Sequence, residues 1–243
     1  MEKKIDNDIL PISVENLFFN VGGNDILCNV SFQLDSDSKT FIVGPNGAGK
    51  TVLLKTCHGL LTPNSGRINY ADGAASNPHE KQGMLFQRPI LLRRSVKANI
   101  EYALTVRGVK GAEKRELVNC VLGDTGLSSL ANQSARTLSL GEQQRLALAR
   151  VWALKPRILF LDEPTAHLDP SSTRMVEYII FKIFKSGTKI VMTSHDMGQV
   201  KRLADEVLFL YEGRLMEHSS VKTFFSNPKT EEGKMFAKGN LLW

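Results

Sequence analysis

Two adjacent carboxylates, Asp162 and Glu163, end the apolar run ILFLDEP (158–164), a few residues after the segment LSLGEQQRLALAR (138–150). An apolar strand that ends in charge should release those side chains at the edge of a parallel sheet, where connecting loops gather. In a dry site two such neighbours repel, and a pKa rises unless a cation or separate roles divide them. Asp162 suits a Mg²⁺ shell. Glu163 suits the orientation and deprotonation of an attacking water, worth roughly 10²- to 10⁴-fold. The plainer alternative is a helix N-cap at Asp162 ahead of Pro164. Upstream, GPNGAGKT (44–51) follows TFIV and precedes KTVLLKTCHGL. Strand, glycine loop and helix in that order make a phosphate cradle. Gly44, Gly47 and Gly49 let successive N–H groups converge on phosphate oxygens, with Pro45, Asn46 and Ala48 completing the loop. Lys50 then reaches β and γ phosphates, and the Thr51 hydroxyl ligates Mg²⁺. The Gly-containing turn that opens the LSLGE helix offers uncapped N–H groups and a positive dipole end, suited to a further phosphate.

The elements that must position these groups follow from periodicity. ISVENLFF and the stretch through NVSFQL read as antiparallel strands joined by VGGND. TFIV enters the nucleotide core. Between 95 and 135 the pattern turns helical: Val96, Ile100 and Leu104 recur on one face, and AEKRELVNCVL continues after Gly108 and Gly111. PRILFLD, SSTRMVEYIIFKIFKS and TKIVMTS restore the strand and helix alternation of a parallel sheet, and EVLFLYEGRLMEH reads as a hairpin around Glu212 and Gly213.

Together these residues resemble the ATP-binding subunits of ABC transporters, over nearly the whole chain. The phosphate loop is followed by Gln87 in GMLFQRP, similar to the family's Q-loop glutamine. LSLGE (138–142) resembles the signature motif, ILFLDEP the Walker B strand, AHLDP (166–170) the D-loop and TSHD (193–196) the switch histidine. Taken singly, Gln87 could be an exposed polar residue closing a strand and His195 a structural histidine. The resemblance implies an α/β fold with a P-loop NTPase core on a parallel sheet, an antiparallel β edge subdomain and an inserted helical subdomain at about 90–150, within one ATP-binding domain spanning 1–243. It also implies ATP and Mg²⁺ as cofactors. Glu163, His195, Gln87 and Lys50 would be catalytic, and Thr51, Gln87 and Asp162 would hold the metal. Ser139, Gly141 and Asp169 would meet ATP bound by a second copy, in a homodimer. Asp169 reads equally as an N-cap with Pro170 at the first helical position. Two positions depart from the family pattern. Leu140 stands where a glycine is usual, which implies a less close backbone approach. Val21 stands where an adenine-stacking aromatic is usual, with Phe18 or Phe19 as substitutes.

Composition narrows the classes. Of 243 residues, 42% are apolar, and no apolar run approaches the roughly 20 residues that span a bilayer. The opening MEKKIDNDIL is polar and partly acidic, unlike a signal peptide. A net charge of +6 is spread among 31 basic and 25 acidic residues, so screening over about 8 Å leaves no nucleic-acid track. Arg88, Arg93, Arg94 and Lys97 form a local basic cluster, either a solvated helix entrance or a docking surface for an acidic partner. The three cysteines, Cys28, Cys57 and Cys120, lack metal spacing and suit free thiols. The expectation is a subunit on the cytoplasmic face of the membrane, beside separate integral-membrane permease subunits and, indirectly, an extracytoplasmic substrate-binding protein. A single cassette with a short insertion most resembles a transporter subunit rather than a chromosome-maintenance or translation ATPase, with a non-transport cytosolic ATPase using the same dimer switch as the alternative. FQRPILLRRSVKANIEYALTVRGV, the compact end and the terminal LLW resemble ATP subunits of bacterial tungstate importers, with molybdate and phosphate importers as neighbours. No additional regulatory domain is expected after the hairpin.

Overall fold

Alternating apolar residues draw the first strand, β1 (Ile12–Val21), onto a core through Ile12, Val14 and Leu17, and Gly22 and Gly23 turn it at positive φ into β2 (Asn24–Leu34). The computed structural model describes residues 9–71 and 78–240; most of the polar opening and the terminal LLW lie outside these. β3 (Lys39–Val43) leads through the glycine loop into α1 (Lys50–His58). β4 (Ser65–Tyr70) then pairs antiparallel with the free side of β1, giving a three-stranded sheet in the order β2-β1-β4. This strand was not anticipated, because SGRINY is largely exposed and only Ile68 and Tyr70 alternate.

After β5 (Gln82–Leu85) come α2 (Val96–Val106), α3 (Gly111–Asp124) and α4 (Leu140–Trp152). Val96, Ile100 and Leu104 are at most 1% exposed, and they pack with Val118 and Leu122 of α3 and Leu146 and Ala149 of α4. The Ser95 hydroxyl accepts the Ala98 N–H and starts α2. β6 (Ile158–Asp162), α5 (Pro170–Lys185), β7 (Lys189–Thr193), α6 (Met197–Leu203), β8 (Glu206–Tyr211), β9 (Arg214–Ser220), α7 (Val221–Ser226) and α8 (Glu231–Ala237) complete the described chain.

The larger sheet runs β5-β6-β7-β3-β8-β9, parallel except for the β8–β9 hairpin. Both its faces are covered, which explains the continuous apolar runs. Ile42, Ile158 and Phe160 face α1 and the small sheet, while Phe41, Val43, Leu159 and Leu161 face α4 and α5. The helix α4 belongs to two cores: Ala147 and Leu148 join the sheet cluster, and Leu146 and Ala149 join the helical one. Because β3 and β6 point the same way with only β7 between them, the glycine loop and the two carboxylates leave the same edge. Truncation of Ile100 to Ala should cost about 2–5 kcal/mol in urea unfolding, whereas Val106→Ala at a 68% exposed position should change stability by no more than about 0.5 kcal/mol.

Candidate active site

Steric demand accounts for two of the loop glycines. A Cβ on Gly44 would overlap the Leu210 carbonyl oxygen, and one on Gly49 would stand 2.8 Å from the Ile26 carbonyl oxygen. Gly47 has open space around it, and its φ of 82° is the reason for glycine there. Gly49 precedes α1 in a left-handed conformation with no side-chain cap, so the first-turn N–H groups face outward without a side-chain acceptor. Lys50 is only 7% exposed, and its ammonium donates to the carbonyls of Gly44 at 2.8 Å and Pro45 at 2.9 Å. Burial pulls its pKa below the ordinary lysine value, and the neighbouring carboxylates of Glu163 and Asp162 oppose that shift.

The end of β6 separates its two carboxylates. Asp162 is 6% exposed, and Thr51 Oγ1 lies 3.0 and 3.1 Å from its two oxygens. Thr193, its partner across β6 and β7, donates to Asp162 Oδ1 at 2.8 Å. The same hydroxyl accepts the Glu163 N–H at 2.9 Å. Glu163 adopts φ 43°, a left-handed conformation uncommon outside glycine, and the Thr193 bond holds that turn. Asp162 is therefore a partner of the glycine-loop helix, and the helix N-cap alternative does not describe it.

Three motifs meet on Glu163. Its Oε2 accepts from Gln87 Nε2 at 3.2 Å and lies 3.2 Å from His195 Nδ1. A carboxylate only accepts, so the His195 proton in that contact sits on Nδ1 and the Gln87 carbonyl oxygen points away from Glu163. A cavity of about 360 Å³ opens beside them, lined by Asn46, Gln87, Glu163, His167 and His195. Thr51 and Asp162 offer hard oxygen donors of the kind Mg²⁺ takes, and the hydroxyl and carboxylate stand within bonding reach of each other, whereas Gln87 meets Glu163.

Ser139, Gly141 and Asp169 are gathered elsewhere and do not line that cavity. Ser139 caps α4, and here the structure corrects the expected uncapped N-terminus. Glu142 Oε2 accepts the Ser139 N–H at 2.8 Å and its hydroxyl at 2.9 Å, while the Ser139 hydroxyl receives the Glu142 N–H. These bonds hold the Glu142 carboxyl below its usual pKa. A side chain on Gly141 would collide with Ser172, so glycine here lets the start of α4 lie against the start of α5. Asp169 caps α5, accepting from the N–H groups of Ser171 and Ser172 at 2.9 and 3.0 Å, with Pro170 in the first turn. Hydrogen bonds led by the Ser171 hydroxyl hold its carboxyl well below the ordinary range. Leu140 is 43% exposed on the same end of α4.

Two residues of the site escaped the sequence reading. Thr193 opens the TSHD segment, where nothing in the sequence marks what its hydroxyl meets. His167, inside AHLDP, has φ 64° and lines the cavity beside Glu163. Of the two phenylalanines near Val21, Phe19 packs against the core, and Phe18 is 39% exposed. In the basic cluster, Arg94 stacks on Tyr102 and Lys97 lies 3.8 Å from Glu101. Cys28, Cys57 and Cys120 are free thiols, and burial pushes that of Cys57 up to about 12.

The family model for ABC transporters matches residues 27–166. The tungstate uptake system ATP-binding protein TupC of Peptoclostridium acidaminophilum is 40% identical over 86% of this chain and 98% of its own. The phosphate import ATP-binding protein PstB of Mycoplasmoides gallisepticum is 32% identical over 97% of this chain and 77% of its own. Among solved structures, cbiO1 from Clostridium perfringens, part of the ABC transporter complex cbiONQ, superposes with a TM-score of 0.82 at 29% identity, over 90% of this chain and 92% of that one. Lys50→Ala should weaken nucleotide binding about 10- to 100-fold, the equivalent of one charged hydrogen bond at about 1.5–3 kcal/mol, in a titration with a fluorescent ATP analogue. Unchanged affinity would remove Lys50 from the phosphate cradle.

Proposed function

The chain belongs to the ABC transporter family as one of its ATP-binding subunits, ATPases that work with membrane permease components, and on that premise we propose that two copies enclose ATP between them and energise import of an oxyanion, tungstate first, through a separate permease. Among the described residues no helix is long and apolar enough to cross a membrane, which accords with a peripheral subunit on the cytoplasmic face. An extracytoplasmic substrate-binding protein would deliver the anion.

The observation that carries the catalytic reading is the convergence of Gln87 and His195 on the Glu163 carboxylate beside the phosphate loop. The loop N–H groups and Lys50 bind the β and γ phosphates, with Lys50 moving from the loop carbonyls to phosphate oxygens. Thr51, Asp162 and Gln87 would hold Mg²⁺, which would neutralise charge on the transferring phosphoryl group. Glu163 accepts the proton of a water whose oxygen attacks the γ phosphorus as the bond to the ADP oxygen breaks. His195 contacts the γ phosphate and registers its departure; since its Nδ1–H is engaged with Glu163, that contact uses the other ring nitrogen in protonated form or follows rotation of the ring.

That Ser139, Gly141 and Asp169 do not line this cavity supports the two-copy reading, because a second copy would present them as a lid. Glu142 must then withdraw its carboxylate from Ser139, since it would otherwise repel the triphosphate. For the substrate, the higher identity to a tungstate uptake subunit favours tungstate, and the phosphate import relative makes phosphate the principal alternative.

Glu163→Gln should bind ATP with unaltered affinity, lose phosphate release and sediment as a dimer in ATP; sustained turnover would count against Glu163 as base, and a monomer with ATP bound would end the two-copy reading. In cells lacking this gene, tungstate accumulation should fall and return with the wild-type chain but not with Lys50→Ala. Loss of phosphate uptake with tungstate uptake intact would move the assignment to phosphate.

A further inference from the structure

One buried side chain outside every motif joins the loop bearing His195 to the loop beyond Glu163. Gln199 lies in the first turn of α6 and is 1% exposed. Its amide orientation is set by Glu177 of α5, whose carboxylate only accepts and so faces Nε2, at 2.9 Å. Nε2 also donates to Thr165 Oγ1 at 2.9 Å, and Oε1 accepts from Ser194 Oγ at 2.9 Å. Thr165 is two residues past Glu163, and Ser194 adjoins His195.

The surroundings leave this amide little freedom. The Ser194 hydroxyl also accepts the Asp196 N–H at 3.1 Å, and Asp196 Oδ1 accepts the Gln199 N–H at 3.1 Å. Glu177 is 7% exposed, and Arg202 answers its charge with bonds of 2.6 and 3.3 Å. A buried network with each of these members satisfied is rigid. Replacing the amide by a hydrocarbon would remove the donor to Thr165 Oγ1 and the acceptor of the Ser194 hydroxyl proton, and so untie the two loops. Gln199 does not line the cavity beside Glu163, so any effect it has on chemistry passes through the loops that it ties together.

We propose that Gln199 is a positioning residue for ATP hydrolysis: its amide fixes the His195 turn against the segment beyond Glu163 and keeps the His195 ring on Glu163. The inference rests on the reading above in which Glu163 and His195 act at the γ phosphate.

The test compares the full chain with Gln199→Leu, with the exchange Gln199→Glu plus Glu177→Gln, and with His195→Ala, in ATP and Mg²⁺. Gln199→Leu should lower kcat about tenfold to a hundredfold, as a slightly misplaced catalytic group does, while KM for ATP stays within about twofold. The exchanged pair keeps one amide and one carboxylate in place and should recover most of kcat, which a purely structural role would not require. In the His195→Ala background Gln199→Leu should add no further loss. Unchanged kcat in Gln199→Leu, or a full additional loss in that background, overturns the proposal. Wild-type turnover by His195→Ala would instead refute the role of His195, and hydrogen exchange then decides on Gln199. ATP should protect 163–169 and 194–196 together in the wild type and not together in Gln199→Leu, and joint protection in the variant refutes the tie. If Gln199→Leu folds poorly, Gln199→Met takes its place.

Discussion

The Thr193 hydroxyl, set between two neighbouring carboxylates, is the contact on which the candidate site depends. Unit charges about 4 Å apart near a protein surface interact by roughly 4 kcal/mol, so Asp162 and Glu163 cannot share one environment without cost. Thr193 divides them by donating to the side chain of Asp162 and accepting from the backbone of Glu163. One carboxylate is thereby turned towards Thr51, and the other enters the cavity beside Gln87 and His195. The sheet register makes this arrangement possible, because Thr193 pairs with Asp162 on one side and with Ile42 of β3 on the other. The strand supplying Thr193 therefore sits between the phosphate loop and the carboxylates.

A second constraint acts on the surface away from the cavity. Ser139 and Asp169 each cap a helix, and the absence of a side chain at Gly141 lets those two helix starts lie together. The caps place a serine hydroxyl, backbone N–H groups and a carboxylate on one small face. The Gln199 amide holds the elements that lead there, Thr165 in the loop before α5 and Glu177 in the middle of that helix.

Much of this was legible in the sequence where local physics decides the outcome. The glycine loop is fixed by spacing between an apolar strand and a helix, and Val96, Ile100 and Leu104 reveal a buried helical face at once. The hairpin at Glu212 and Gly213 follows from turn residues between apolar runs. β4 was hidden because SGRINY owes its strand form to pairing with β1, a partner remote in sequence, rather than to its own pattern. Thr193 and Gln199 were hidden because a polar residue in an apolar strand or a short helix gives no sign of what it faces. The closed cap at Ser139 was within reach, since serine followed three residues later by glutamate is its signature, but the glycine between them drew attention to an open helix end instead.

The double allegiance of α4 determines where this molecule can bend. Leu146 and Ala149 anchor the rod in the helical cluster, and Ala147 and Leu148 anchor it in the sheet cluster, so sliding along either would break apolar contacts on both sides. The other covalent bridge between the two bodies, residues 86–94, carries neither helix nor strand and includes Gln87. Leu91 of that strip also packs on both clusters, so any turn of one body against the other would work against α4 and Leu91 together and draw on Gln87, the residue four places before it.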